Sequence, residues 1–138
     1  RERGITSWEG PLGWILSMAS SILVSDGYPV AAPVYDVIDD LGTLRREAAR
    51  DVAAGFVSKT VIHPAQVSIV TSAFQVKDAD LEQAHAILDN EARAVFQLGG
   101  VMCEPATHRT WAERIVARAA AFNTDGCSNL QENKAVLE

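Results

Sequence analysis

The 138-residue sequence has no long apolar run, no block of basic residues and only two cysteines. Each scarcity excludes something. The most apolar stretch, Trp14 to Val24, is broken by three serines and is shorter than the roughly 20 apolar residues that cross a bilayer. No basic segment precedes it and no small-residue cleavage site clearly follows, so it does not read as a signal peptide. Lys and Arg number 12 against 18 Asp and Glu, for a formal net charge of −6. No basic surface exists to neutralise phosphates, which speaks against a nucleic-acid partner. Arg45, Arg46 and Arg50 do cluster, but Glu47 and Asp51 are interleaved with them, the pattern of a solvated helix face. Cys103 and Cys127 form no C-x-x-C pair and cannot build a disulfide framework, so free thiols and a cytoplasmic location are expected.

Motifs are missing as well. There is no Walker sequence, no G-x-G-x-x-G and no G-x-S-x-G. No two histidines have zinc-ligand spacing. Internal repeats and low-complexity blocks are absent.

What remains is an ordinary globular composition, 48% hydrophobic and 22% charged, long enough for one domain with a real core. Pro11 suits the first turn of a helix, whose stripe would be Leu12, Ile15, Leu16, Ala19 and Ile22 or Leu23. Asp26-Gly27 is a turn signal, and Tyr28 to Val34 reads as a short strand with Asp36 just past its end. Asp39 or Asp40 can cap the next helix, with Leu41, Leu44, Ala48 and Val52 inward and the charges outward. Gly55 fits that helix's C′ position. The β-branched run Val57 to Ile62 is the next strand, stopped near His63 because Pro64 cannot donate to a ladder. Helix, strand, helix, strand is the alternation of a parallel α/β sheet.

Beyond Pro64 the pattern loosens. Ala65 to Phe74 stands open between a helix and a turn-rich stretch. Asp78 or Asp80 would cap a helix with the face Leu81, Ala84 or His85, Leu88, Ala92 and Phe96, ended by Gly99-Gly100. His85 reads as a partly buried structural histidine. A connector from Val101 to Thr107 leads to a last helix with Trp111, Ile115, Ala119 and Phe122 inward. From Asn123 onward the chain is polar and aperiodic, a loose tail. The expected organisation is one domain over 1–123 and a flexible tail over 124–138.

Two histidines carry chemical promise. His63 falls at the C-terminal end of a strand, where α/β barrels and open parallel sheets keep their chemistry; His108 falls near the start of the last helix. A neutral imidazole there can act as acid, base or ligand. Asp36, Asp39, Asp40 and Glu104 are oxygen donors of the kind a hard cation takes, although Asp39 and Asp40 are more simply explained as a helix cap. Glu104, beside Met102 and Cys103 in a connector, is an odd place for a solvated charge.

These residues carry a resemblance. Gly55-Phe56 followed by Lys59-Thr60-Val61-Ile62-His63-Pro64-Ala65-Gln66 resembles the GF-x-GK-x-x-IHP-x-Q signature of the HpcH/HpaI aldolase and citrate lyase β-subunit superfamily. Pro33-Val34-Tyr35-Asp36 is similar to a PVWE element, and Met102 to Ala112 to an MNE-x-x-x-HR-x-WA element. Both elements resemble the TIM-barrel C–C bond lyase branch found in tellurium-resistance and stress operons. The resemblance covers roughly residues 10 to 122. Ser58 stands where the signature has glycine, and Cys103 where relatives carry a lid aspartate.

The resemblance implies an α/β fold, the C-terminal part of a TIM (β/α)8 barrel: its last two or three β/α units and C-terminal helices acting as a lid. It implies Mg²⁺-assisted cleavage or formation of a C–C bond beside a carbonyl, on a small carboxylate or an acyl-CoA, by a homo-oligomer. The metal ligands would come from the first half of the barrel and none from this chain. His63 and Glu104 would be catalytic; Lys59, Gln66, His108 and Asp36 would bind substrate. Lys59 would offer a cation to an anionic substrate, or Lys59 and His63 would only brace the strand end. The chain begins Arg1-Glu2-Arg3 in the middle of a working pattern, so a piece of a longer protein is expected. The alternative is a non-catalytic half-barrel that serves as an oligomerisation or interaction module, since a few parallel strands leave open edges and an apolar face.

Overall fold

The expected alternation opens the chain. In the computed structural model, which describes residues 2–123, two units are distinguished, Arg1–Phe74 and Gln75–Glu138. The expected tail, 124–138, lies outside the described residues, and Cys127 with it.

The first unit holds helix α1 (Gly13–Ala19), continued by a π-helical turn over Ser20–Val24, then strand β1 (Ala31–Ala32), helix α2 (Leu41–Ala53), strand β2 (Ser58–Lys59) and helix α3 (Pro64–Phe74). β1 and β2 are parallel, with Ala31 opposite Ser58 and Ala32 opposite Lys59. The Val57 amide adds a bond to the Val30 carbonyl. Both strands are shorter than the sequence suggested. Pro29 and Pro33 flank β1 and cannot donate, and beyond Lys59 the Ile62 amide turns to a side chain, Gln66 Oε1, at 3.0 Å.

α2 forms as expected at both ends. Asp40 is its N-cap and accepts the Thr43 amide at 3.1 Å. At the other end Gly55 has φ +85°, its amide reaches the Val52 carbonyl and the Phe56 amide reaches that of Asp51, the paired bonds of a Schellman motif. The inward face, however, is Thr43, Leu44, Glu47, Ala48 and Asp51. Glu47 and Asp51 are therefore not on the solvated face with Arg45, Arg46 and Arg50.

α1 also departs from its expected stripe. Leu16 is buried, Ala19 is half-buried, and Leu12, Ile15, Ile22 and Leu23 are exposed. The π-turn adds one residue to the helical turn and rotates the following face, so Val24 goes inward where Leu23 was expected. Leu16, Ala32 and Phe56 form a small core backed by Trp8, Val30 and Ala54. α3 settles the open question over Ala65 to Phe74. Pro64 occupies its first position, where a missing N–H costs nothing, and Gln66, Val70 and Phe74, four apart, are buried.

The second unit holds α4 (Asp78–Leu88), a hairpin of β3 (Phe96–Leu98) and β4 (Val101–Cys103), and α5 (Pro105–Phe122). β3 and β4 are antiparallel, with Phe96 opposite Cys103 and Leu98 opposite Val101. Gly99 and Gly100 have φ of +58° and +82° and form the two-residue hairpin loop, which needs positive φ at both positions. They do not end α4, which stops at Leu88, and the expected connector begins as a strand. Nor do Asp78 or Asp80 cap α4. Its N-cap is Lys77 without a side-chain bond, and the two acids sit in the first turn, where they complement the helix dipole. His85 is exposed, not partly buried.

α4 and α5 pack through Ala84, Ile87, Ala112, Ile115 and Ala119 around Val76 and Cys103. On α5 Ile115 and Ala119 are buried as expected, but Ala112 takes the inward place expected of Trp111, which is 38% exposed. Asn123 is not the start of a tail. Its side chain donates to the Val76 carbonyl and accepts the Val76 amide, both at 2.7 Å, and so ties the end of α5 to the entry of the unit. Among the described residues no helix is long and apolar enough to cross a membrane.

Candidate active site

Lys59 sits at the end of β2 with its side chain wholly buried. Its ammonium donates to Glu47 Oε1 at 2.8 Å, Asp51 Oδ2 at 2.7 Å and the Pro33 carbonyl at 2.7 Å. An ammonium has three donors, and all three are engaged. The two acids lie one turn apart on α2. Their second oxygens are also met: Ser7 N donates to Glu47 Oε2 at 2.6 Å and Trp8 Nε1 to Asp51 Oδ1 at 2.8 Å. Burial pushes the Asp51 carboxyl above the ordinary carboxylate range, against the pull of Lys59 and Trp8. The cluster was legible in part. Glu47 and Asp51 follow Leu44 at helical spacing of three and four, so a count of the period places them on the inner face.

A second brace crosses the ends of the strands. Gln66, fully buried in the first turn of α3, donates Nε2 to the Tyr35 carbonyl at 2.9 Å and accepts the Ile62 amide on Oε1 at 3.0 Å. The bonded residues immediately precede Asp36 and His63, one beyond each parallel strand. Both Asp36 and His63 are exposed. His63 Nδ1 accepts the Ala65 amide at 3.2 Å and so caps α3. On the same unit Asp40 accepts the Gly4 amide at 2.9 Å and the Tyr35 hydroxyl at 3.1 Å in addition to its cap bond. The amides of Gly4 and Thr43 hold its carboxyl down at about 2. Asp39 pairs with Arg3.

Glu104 and His108 belong to the second unit. Glu104 is half-buried as the N-cap of α5; its amide donates to His108 Nδ1 at 3.2 Å and its Oε2 accepts the Thr107 hydroxyl at 3.0 Å. His108 borders an open pocket of about 250 Å³ lined by Gln83, Ile87, Val101, Met102 and Trp111. Cys103 is buried beneath, its sulfur accepting Gln83 Nε2 at 3.3 Å. The predicted residues thus fall into two sets. Asp36, Lys59, His63 and Gln66 gather at the strand ends of the first unit, and Glu104 and His108 gather at the start of α5. Among the described residues no group of three or more His, Cys, Asp or Glu side chains is arranged to hold a metal ion.

Comparison with known proteins bears on the family and the fold. A family model described as C–C bond lyase of the TIM-barrel fold matches residues 1–124. A (3S)-malyl-CoA thioesterase of Cereibacter sphaeroides is 29% identical over 108 residues, covering 74% of this chain and 38% of the relative. A citrate lyase subunit β-like protein of Deinococcus radiodurans is 38% identical over 61 residues, 44% of this chain and 22% of that one. The CitE protein of Mycobacterium tuberculosis, solved with magnesium, acetoacetate and coenzyme A, superposes with a TM-score of 0.59 at 26% identity, covering 78% of this chain and 41% of its own. A citrate lyase of Burkholderia xenovorans superposes with a TM-score of 0.61 at 21% identity over 86% of this chain and 38% of its own, a likeness of fold. This chain spans about two fifths or less of the length of these relatives. The β–α–β–α order of the first unit is a portion of their barrel.

Proposed function

Because the chain belongs to the family of C–C bond lyases of the TIM-barrel fold, we propose that it is the rim-bearing C-terminal part of a citrate lyase β-like enzyme. That enzyme cleaves or forms a C–C bond beside the carbonyl of a small carboxylate or an acyl-CoA. The observation that carries the reading is the Gln66 clamp, which fixes the residues before Asp36 and His63 to one another at the C-terminal ends of two parallel strands. In barrels of this class that face is where substrates meet the protein. His63 and Asp36 are exposed there, whereas Lys59 and Gln66 are buried with their polar atoms engaged. The geometry therefore favours bracing for Lys59 and Gln66 over direct substrate contact. Glu104 and His108, bonded to one another at the start of α5, would belong to a C-terminal lid, as the resemblance implies.

A malyl-CoA thioesterase among the relatives and coenzyme A with acetoacetate in a structural neighbour support an acyl-CoA or a β-oxo acid as the substrate class. The same neighbour holds magnesium. The described residues of this chain do not offer a ligand set for that ion, so its carboxylates would come from elsewhere. A homo-oligomer, supported by the exposed apolar residues of α1, and a cytoplasmic location, supported by the free thiol of Cys103, complete the reading.

The test is turnover of malyl-CoA and citryl-CoA by the full gene product with Mg²⁺, in the unmodified protein and in His63→Ala, Asp36→Ala and Glu104→Ala. A loss of about 10²-fold in kcat/KM is expected for His63→Ala, and unchanged kcat/KM in all three variants would sink the assignment. A second reading, a non-catalytic module that associates through an apolar face, draws on Trp14, Met18 and Ile22, each about half exposed or more on α1 and its π-turn. An unmodified protein without lyase turnover that associates as its concentration rises would favour it.

A further inference from the structure

The two nitrogens of His63 have different duties. Nδ1 accepts the backbone N–H of Ala65 at 3.2 Å. An amide N–H only donates, so Nδ1 of the neutral ring carries the lone pair and the single ring proton is on Nε2. The residue is pinned on both sides. Its carbonyl accepts the Gln66 amide at 3.0 Å, and the preceding Ile62 amide is held by the Gln66 side chain. The ring itself is exposed, and Nε2, across the ring from Nδ1, makes no bond among the described residues.

We infer that His63 meets its ligand as a hydrogen-bond donor through Nε2, directed to an oxygen of an anionic, carbonyl-bearing molecule, and not as a proton acceptor. Drawing a proton from carbon at Nε2 would need the lone pair there and the proton on Nδ1. That tautomer sets the Nδ1 proton against the Ala65 N–H, two donors face to face. A fixed donor suits the oxygen of a carboxylate, a thioester carbonyl or an enolate, where negative charge rests or develops. His108 repeats the arrangement at the start of α5: its Nδ1 accepts the Glu104 amide at 3.2 Å, leaving Nε2 as the donor. The inference for His63 rests on the reading of the strand ends as an active site, and it adds what that reading leaves open, the direction of the hydrogen bond.

The deciding measurement is a long-range 1H–15N correlation on the full gene product labelled with 15N-histidine, at a pH above the ordinary imidazole range, with the His63 signals assigned by their loss in His63→Gln. The expected spectrum has a bare Nδ1 and a protonated Nε2 for His63, and added acetoacetate moves the Nε2 proton. A proton on Nδ1, or an Nε2 proton that acetoacetate leaves unmoved, would overturn the inference.

Turnover supplies an independent arm. His63→Asn keeps an acceptor at the Nδ1 position and removes the distal donor, so helix content should hold while kcat falls about 10²-fold; His63→Gln restores a distal donor and should regain part of that loss. Unchanged kcat in His63→Asn would reduce His63 to a cap. His85→Asn, on an exposed face of α4, serves as the unaffected control. If the unmodified protein cleaves no acyl-CoA, the lyase reading fails, and the spectrum still decides the donor assignment.

Discussion

Replacing Lys59 by methionine isolates the charge of the buried cluster, because the thioether fills most of the volume of the lysine stem without its ammonium. Three hydrogen bonds of 2.7–2.8 Å disappear. The larger effect is what stays behind. Glu47 and Asp51, one turn apart and with side chains wholly buried, face one another with no cation between them. Breaking a buried ion pair from one side costs about 3–5 kcal/mol, since an uncompensated charge remains. With a urea m-value of about 2 kcal/mol/M, the midpoint of unfolding should fall by about 2 M. The assay is urea unfolding of the full gene product, followed by tryptophan fluorescence and by circular dichroism. The double variant Lys59→Met with Glu47→Gln separates charge from packing. The glutamine oxygen can keep the Ser7 amide bond while its amide group faces Asp51, so the pair should be more stable than Lys59→Met alone. A midpoint shift below about 0.5 M for Lys59→Met, or a double variant as unstable as the single, would refute the account.

Two further predictions concern the same helix. Gly55→Ala forces a Cβ onto a residue at φ +85° and brings it to 2.8 Å from Val24 Cγ1, so a loss of about 1–2 kcal/mol is expected in the same unfolding assay; a neutral or stabilising alanine would contradict the Schellman assignment. Asp40 and Asp51 should titrate stability in opposite senses. The Asp40 carboxyl is held at about 2, below its ordinary range, so its contribution is present above that range and is lost as pH falls toward 2; the gap between the unmodified protein and Asp40→Asn should close over that interval. The Asp51 carboxyl is pushed up, so its contribution is fullest below the ordinary range and declines as pH rises through the shifted value. Asp51→Asn should therefore cost more in acid than at neutral pH, and urea midpoints measured across pH check both signs.

Much of the frame was already written in local chemistry. Gly55 at a helix C′ position, Asp40 at an N-cap and Pro64 at the first turn of α3 act through their own backbone preferences, and a reader of sequence can find them without knowing the neighbours. The helix–strand alternation and the His-Pro-x-Gln stretch pointed in the same way to a parallel α/β fold. Periodicity was weaker where turn chemistry competed with it. The helical face drawn through Ala92 and Phe96 broke because Gly99-Gly100 closes a hairpin, and a positive φ at two successive residues outweighs an apolar repeat.

Side-chain pairing across distant segments was not legible. The helical period can set Glu47 and Asp51 on the inner face of α2, but the partners they meet there, Lys59, Ser7 and Trp8, are supplied only by the folded chain. His63 is a local case by contrast. The stop that Pro64 imposes placed it at the end of a strand, and its Nδ1 caps an amide only two residues on, that of Ala65, so the outward nitrogen follows from the start of α3 itself. Residue identity determines where elements begin and end, because caps, glycines and prolines act on their own backbone. The burial of a charge depends on partners far apart in the chain, as Glu47 and Asp51 depend on Ser7 and Trp8, and those meet only when the chain is folded.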